Sequence, residues 1–128
     1  HDAARPGLTA GLIERLVSAV RDHEVGGLLG IPAADTLKRV NLEDEVVETL
    51  SREGIWCAQT PQIFRYQLLC DALQAADQSG TVVTDESSAV ESFGYRPVMV
   101  PGCPQNFKVT TESDYQLMCN NFLGEGPV

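Results

Sequence analysis

A chain of 128 residues has apolar material for one globular domain, with 43 % hydrophobic and 21 % charged residues. Its formal charge of -9 excludes a broad nucleic-acid-binding face, because the nine basic residues are scattered and form no stripe. The longest apolar run, GGLLGIPAA, is too short and too broken by Gly and Pro to cross a membrane, so neither nucleic acid nor membrane is expected as a partner.

The chain opens on a loop, HDAARP, in which Asp2 and Arg5 stand three apart and are followed by Pro6. TAGLIERLVSAVRDHE puts Leu12, Leu16 and Val20 on one helical face beside Ile13 and Val17, with Thr9 as N-cap and Gly26 and Gly27 as the stop. GGLLGIP reads as a buried strand. In DTLKRVNLEDEVVETLSREGIWCAQTPQ, β-branched residues around the polar NLEDE predict two strands and a turn. That hairpin is too charged to bury both faces, so residues 36–54 are expected to project as an arm that docks on another chain.

FRYQLLCDALQAADQSG reads as a second helix, with Leu68, Leu69, Ala72, Leu73 and Ala76 as its stripe and Gly80 at its end. TVV is a short predicted strand. TDESSAVESFG is a helix capped by Thr84 and stopped at Gly94, with acids in its first turn to suit the dipole. RPVMVPG and NFKV read as strands, TTESDYQLMCNNFLG as a last helix capped at Thr111, and residues 124–128 as a frayed tail. Helices alternating with short buried strands define an α/β domain of three or four strands. An opening loop of this kind usually follows something, so a strand and more are expected upstream of His1. The four cysteines form no CxxC pair and have no His at zinc spacing. In a chain with ample core they are read as reduced thiols, which points to the cytoplasm.

Open α/β sheets bind ligands where strands run into loops. The polar residues placed there are Asp2, Arg5, Asp35, Thr36, Arg52, Thr60, Thr84, Asp85 and Lys108. Carboxylates, hydroxyls and cations in this mixture suit a magnesium-assisted phosphate site. They suit acid–base hydrolysis less, since no His accompanies a Ser or Cys in a recognisable signature. Each also has a plain structural reading. Asp2 and Arg5 pair across a turn, Thr84 caps a helix, Arg52 is solvated in SREG, and Lys108 points outward from a strand. His23 reads as a solvated cation at a helix end, and Trp56 and Cys57 as core.

Taken together, HDAARP, IPAADTLKRV, GIWCAQTPQIF, VTDESSAVESFGYRPVMVPG and NFKVTTESD occur in one order. This set resembles the second half of the 2-C-methyl-D-erythritol 4-phosphate cytidylyltransferase family, from His1 to about residue 120. The resemblance implies the C-terminal part (1–123) of a single Rossmann-like nucleotidyltransferase domain, dimeric through the arm. It implies transfer of CMP from CTP to methylerythritol phosphate with release of pyrophosphate and a requirement for Mg2+. Asp2 and Arg5 then lie at the sugar-phosphate and metal end, with Asp2 binding the metal directly or through water. Thr36 contacts the methylerythritol phosphate, Arg52 reaches it from the partner's arm, Lys108 positions the phosphates, and Thr60 and Thr84 complete the pocket.

Physical chemistry agrees with these roles. A phosphate monoester with a second pKa of roughly 6 is largely dianionic at neutral pH and needs no general base. It needs cations that let it approach a polyanionic nucleotide, with Arg for bidentate capture and Lys as a point charge. Two positions depart from the family: Gly7, where a bulkier apolar residue is common, and Phe107, where Ile or Leu is usual. Neither is expected to touch a proposed contact. Nothing in the chain resembles the family's glycine-rich CTP loop, which precedes HDAARP, so the 128 residues are expected to be inactive alone. Two alternatives accompany this reading: a ribitol 5-phosphate cytidylyltransferase, and a non-catalytic dimerisation module.

Overall fold

The computed structural model describes residues 1–123, so the tail read at 124–128 lies outside the described residues. Helix α1 (Ala10–Val20) buries Leu12, Leu16 and Val20, and Thr9 caps it by accepting from the Leu12 N–H at 3.3 Å. It ends well before Gly26. The Arg65 guanidinium donates to the carbonyls of Val20, Arg21 and His23 and so serves the orphan end of the helix. His23 is half-buried, and its Nδ1 accepts from the Val25 and Gly26 N–H groups, so it anchors the backbone here and does not stand free in solvent.

Gly26 and Gly27 instead open strand β1 (Gly26–Pro32). Gly26 is needed there because its φ is 123° and a Cβ would collide with the Ile63 carbonyl. β1 is central, antiparallel to β4 (Trp56–Phe64) on one side and parallel to β5 (Val98–Pro101) on the other. That double pairing satisfies its backbone, and packing over the sheet buries its side chains, Leu29 against Leu12, Leu16 and Val20 of α1.

The stretch Trp56–Phe64 is a nine-residue strand that alternation did not reveal. Its ladder explains the omission. Leu28 pairs with Gln62 and Gly30 with Ala58, so β4 takes four steps where β1 takes two. A bulge of this kind breaks the period-2 pattern and re-aims the residues within it, here Gln59, Thr60 and Pro61. Trp56 and Cys57 are exposed at the end of this strand and do not belong to the core.

Helix α2 (Tyr66–Ser79) packs Ala72 inward and ends at Gly80, but Leu73 stands in solvent. TVV forms no strand, and Val82 is exposed. Helix α3 (Glu86–Ser92) is capped by Asp85 and not Thr84: the Asp85 carboxylate accepts from the Ser88 N–H at 2.8 Å while Ser88 Oγ accepts from the Asp85 N–H. A carboxylate suits the helix N-terminus better than a hydroxyl. NFKV is not a strand either. A single 3-10 turn, Pro104–Asn106, leads into an unpaired extended run tied to the opening loop by one bond, from the Val109 N–H to the Ala4 carbonyl at 2.8 Å. Helix α4 (Glu112–Leu123) starts at Thr111, whose Oγ1 accepts from the Asp114 N–H.

The arm is a separate two-stranded ladder of β2 (Leu37–Val40) and β3 (Val46–Leu50). Asn41 Oδ1 shapes its turn by accepting from the Glu43 and Glu45 N–H groups, and Arg39 pairs with Glu48 across it. Val40, Leu42, Val46 and Val47 are all exposed on it. The core lies elsewhere, in two clusters. One joins Leu12, Leu16 and Val20 to Leu29 and Val100; the other joins Val25 to Ala72, Ala89 and Val90. No helix among the described residues is long and apolar enough to cross a membrane.

Candidate active-site cleft

The bulge in β4 turns Thr60 toward the opening loop. Thr60 Oγ1 accepts from the Asp2 N–H at 2.9 Å and lies 2.8 Å from His1 Nδ1. Arg5 then reaches across three segments. Its Nε donates to Asp2 Oδ2 at 3.2 Å, Nη1 to the Asn106 carbonyl at 2.9 Å, and Nη2 to the Ala58 carbonyl at 3.3 Å. The extended run after Asn106 brings Lys108 Nζ to 3.7 Å from the same Asp2 oxygen.

These contacts surround a cleft of about 310 Å³ lined by Asp2, Arg5, Thr60, Thr84 and Lys108. Five of the seven residues given roles by the resemblance therefore share one space, and Asp85, also picked out at a loop position, lines it with them. Thr36 and Arg52 line no part of it. Thr36 is exposed at the root of the arm, and Arg52 donates there to the Ala34 carbonyl of its own chain. A larger hollow of about 470 Å³, between Ala3–Pro6 and the Tyr115–Cys119 face of α4, has nearly all-apolar walls and offers nothing to hold an anion.

The two cations of the cleft differ. The Arg5 side chain is only 11 % exposed and spends three of its five N–H donors on the protein. Lys108 is half exposed, and its long contact with Asp2 is worth at most about 1 kcal/mol, so its ammonium is free to turn to a ligand. Asp85 and Glu86 also face the cleft, but both Asp85 oxygens are engaged, by the Ser88 N–H and by Gln62 Nε2. Among the described residues no three His, Cys, Asp or Glu side chains gather as a metal cluster. A Mg2+ carried by substrate phosphates needs only one or two carboxylates, and Asp2 Oδ1 carries no hydrogen bond among the described residues. The donor set fits such an ion.

Three buried or half-buried amides, Gln59, Gln62 and Asn106, belong to this site; they lie in the GIWCAQTPQIF and NFKVTTESD blocks, but neither charge nor periodicity singles them out. Gln62 joins Asp85 to the Ser87 N–H. Asn106, fully buried, donates to Gln59 Oε1 at 3.3 Å and to the Thr60 carbonyl at 2.8 Å. Gly7 also bears on the site: a Cβ there would strike the Gln105 carbonyl, in the turn that leads to Lys108.

A mixed sheet carrying a cleft of cations, hydroxyls and one free carboxylate oxygen, with a separate two-stranded arm, is that of an α/β nucleotidyltransferase. The family model described as IspD: 2-C-methyl-D-erythritol 4-phosphate cytidylyltransferase matches residues 1–123. The chain belongs to that family. It is 52 % identical over 118 residues to the enzyme of that name from Bordetella pertussis, covering 92 % of this chain and 51 % of the relative. It is 49 % identical to the Ralstonia nicotianae enzyme, covering 99 % of this chain and 51 % of the relative. The crystal structure of the Francisella tularensis 2-C-methyl-D-erythritol 4-phosphate cytidylyltransferase superposes with a TM-score of 0.86 at 39 % identity, over 92 % of this chain and 55 % of that one. The chain thus spans about half the length of the curated relatives it matches.

Proposed function

We propose that this chain supplies the polyol-phosphate side of an active site that transfers CMP from CTP to 2-C-methyl-D-erythritol 4-phosphate and releases pyrophosphate. The observation that carries this reading is the meeting of Asp2, Arg5, Thr60, Thr84 and Lys108 in one cleft of a chain of this family. The nucleophile is the phosphate monoester itself, so no base is required. Its difficulty is repulsion. A dianion about 5 Å from a singly charged α-phosphate meets about 7 kcal/mol at an effective dielectric of about 20. Lys108 offsets a share of that as a mobile point charge, and Arg5 supplies a fixed one with two N–H donors to spare.

In this reading Mg2+ sits at Asp2, directly or through water, and supplies further neutralisation of the phosphates. Residues 1–123 are part of one domain, and the arm over 36–54 pairs two copies. Exposed Val46, Val47 and Leu42 on a two-stranded hairpin support that, because such a hairpin is marginal in water unless it packs on something. Across the dimer Arg52 holds the monoester, with Thr36 beside the same substrate. The 128 residues alone do not turn over CTP, and the compartment is the cytoplasm.

The test is transfer of label from α-phosphate-labelled CTP by the whole protein that carries this chain, with methylerythritol phosphate and ribitol 5-phosphate in competition. Labelled CDP-methylerythritol is the expected product. A preference for ribitol phosphate overturns the substrate, and no transfer to either overturns the activity.

A further inference from the structure

We infer that Gln59 and Asn106 act as a positioning pair for Lys108, an inference that rests on the proposed role of the cleft in CMP transfer. Lys108 is held by little of its own, since its only ion pair among the described residues is the 3.7 Å contact with Asp2. The reach of its ammonium is set by the backbone that carries it, and that backbone is tied through two buried amides.

Gln59 comes from the bulge in β4 and is 4 % exposed. Its Nε2 donates to the Cys103 carbonyl at 2.9 Å, and its Oε1 accepts from the Cys103 N–H and from Asn106 Nδ2, both at 3.3 Å. Asn106 continues the chain of bonds: its Nδ2 also donates to the Thr60 carbonyl at 2.8 Å, and its own carbonyl accepts from Arg5 at 2.9 Å. Three residues on, the Val109 N–H donates to the Ala4 carbonyl. Lys108 is therefore bracketed between two fixed points, each bonded to a segment that lines the cleft.

The packing around the pair is cut to fit it. A Cβ on Gly102 would collide with Gln59 Oε1, and one on Gly7 with the Gln105 carbonyl, so the Cys103–Lys108 segment is pressed from both sides where no side chain intervenes. Two leucines would fill similar space without any requirement for hydrogen bonds. Amides in the same place are tolerable only when bonded, and their bonds have direction. Even so, Asn106 Oδ1 has no partner among the described residues, although the residue is fully buried.

The experiment is a double-mutant cycle in the whole protein that carries this chain, with kcat and KM measured for Gln59→Leu, Lys108→Ala and the pair. Gln59→Leu is expected to lower kcat about 30-fold, to leave KM for CTP within about threefold, and to change the Lys108→Ala enzyme by less than about threefold. An equal loss in both backgrounds would show a general structural effect and overturn the inference, as would an undiminished kcat. If Gln59→Leu does not fold, Asn106→Ala takes its place in the same cycle with the same expectation. Hydrogen exchange gives a readout independent of turnover. The N–H groups of Cys103, Asn106 and Val109 should exchange at least about tenfold faster in the variant, with those of α2 and α3 unchanged. Unaltered exchange at those three sites refutes the pair as an anchor. A wild-type protein that transfers no CMP refutes the functional reading instead, and the exchange result still decides on the anchor.

Discussion

Replacing Arg5 by Ala tests whether the cleft is assembled by one guanidinium. Arg5 is the only side chain among the described residues that hydrogen-bonds the opening loop, β4 and the turn before α4 at once. Its bond to the Asn106 carbonyl is short, at 2.9 Å, and a bond from a charged donor contributes about 1.5–3 kcal/mol. The bonds to Asp2 and Ala58, at 3.2 and 3.3 Å, are longer, and water can replace part of each. Removing all three, together with the packing of a side chain only 11 % exposed, should cost about 3 kcal/mol. For a domain of this size that corresponds to a fall in Tm of about 10 °C. Circular dichroism followed through thermal and urea unfolding measures it. Arg5→Lys should recover less than half, because an ammonium on a single stem does not span three acceptors. A loss below about 1 kcal/mol for the Ala variant, or complete rescue by Lys, would falsify the account of Arg5 as a clamp.

Lys108→Ala should lower kcat/KM by about 100- to 1000-fold, the range seen when one donor to a transition-state charge is removed. It should leave the melting temperature within about 2 °C, since the 3.7 Å pair is half exposed; normal turnover in this variant would remove Lys108 from the site. Arg52→Ala should raise KM for the polyol phosphate at least about tenfold without changing KM for CTP, as steady-state kinetics on the whole protein will show. If neither constant moves, the arm does not deliver Arg52. Asp114 is held below the usual carboxylate range by hydrogen bonds from Thr110 and Thr111 at the start of α4. A depressed carboxyl stabilises the fold above its unfolded pKa, and that contribution disappears as pH falls through the folded value. Asp114→Asn should therefore flatten the acid limb of stability against pH in urea titrations, and an unchanged limb would show that this cap is not coupled to folding.

The elements legible in the sequence are those whose burial follows a single period or whose ends carry their own caps. α1 shows its stripe of Leu12, Leu16 and Val20 and its Thr9 cap, and β1 shows an unbroken apolar run because both of its faces are covered. β4 was hidden by its bulge, which disrupts alternation at the residues that build the site. NFKV misled for a different reason. Phe107 and Val109 do alternate with the more exposed Lys108 and Thr110, but what they face is a loop tied by one hydrogen bond and not a neighbouring strand. Asp85 displaced Thr84 as cap because a carboxylate competes better for the helix N-terminus. The charged and hydroxyl members of the cleft were visible as residue types at loop positions. Gln59 and Asn106 were not, since an amide carries neither charge nor a hydropathy period.

The charge of the cleft argues for what the proposed mechanism adds to it. Arg5 and Lys108 face Asp2, Asp85 and Glu86, so the lining by itself holds one more carboxylate than cations. A dianionic monoester would deepen that imbalance in a protein already at -9. Asp2 adds to the imbalance beside both cations, because one of its oxygens lies against Arg5 and Lys108. A divalent cation at the free Asp2 oxygen would offset that carboxylate and part of the monoester charge. If the proposed dimer brings Arg52 across as well, the cleft holding the monoester would reach formal neutrality. In the proposed function, the carboxylate that weakens an isolated cleft would thus tie phosphate binding to the metal and to the second subunit.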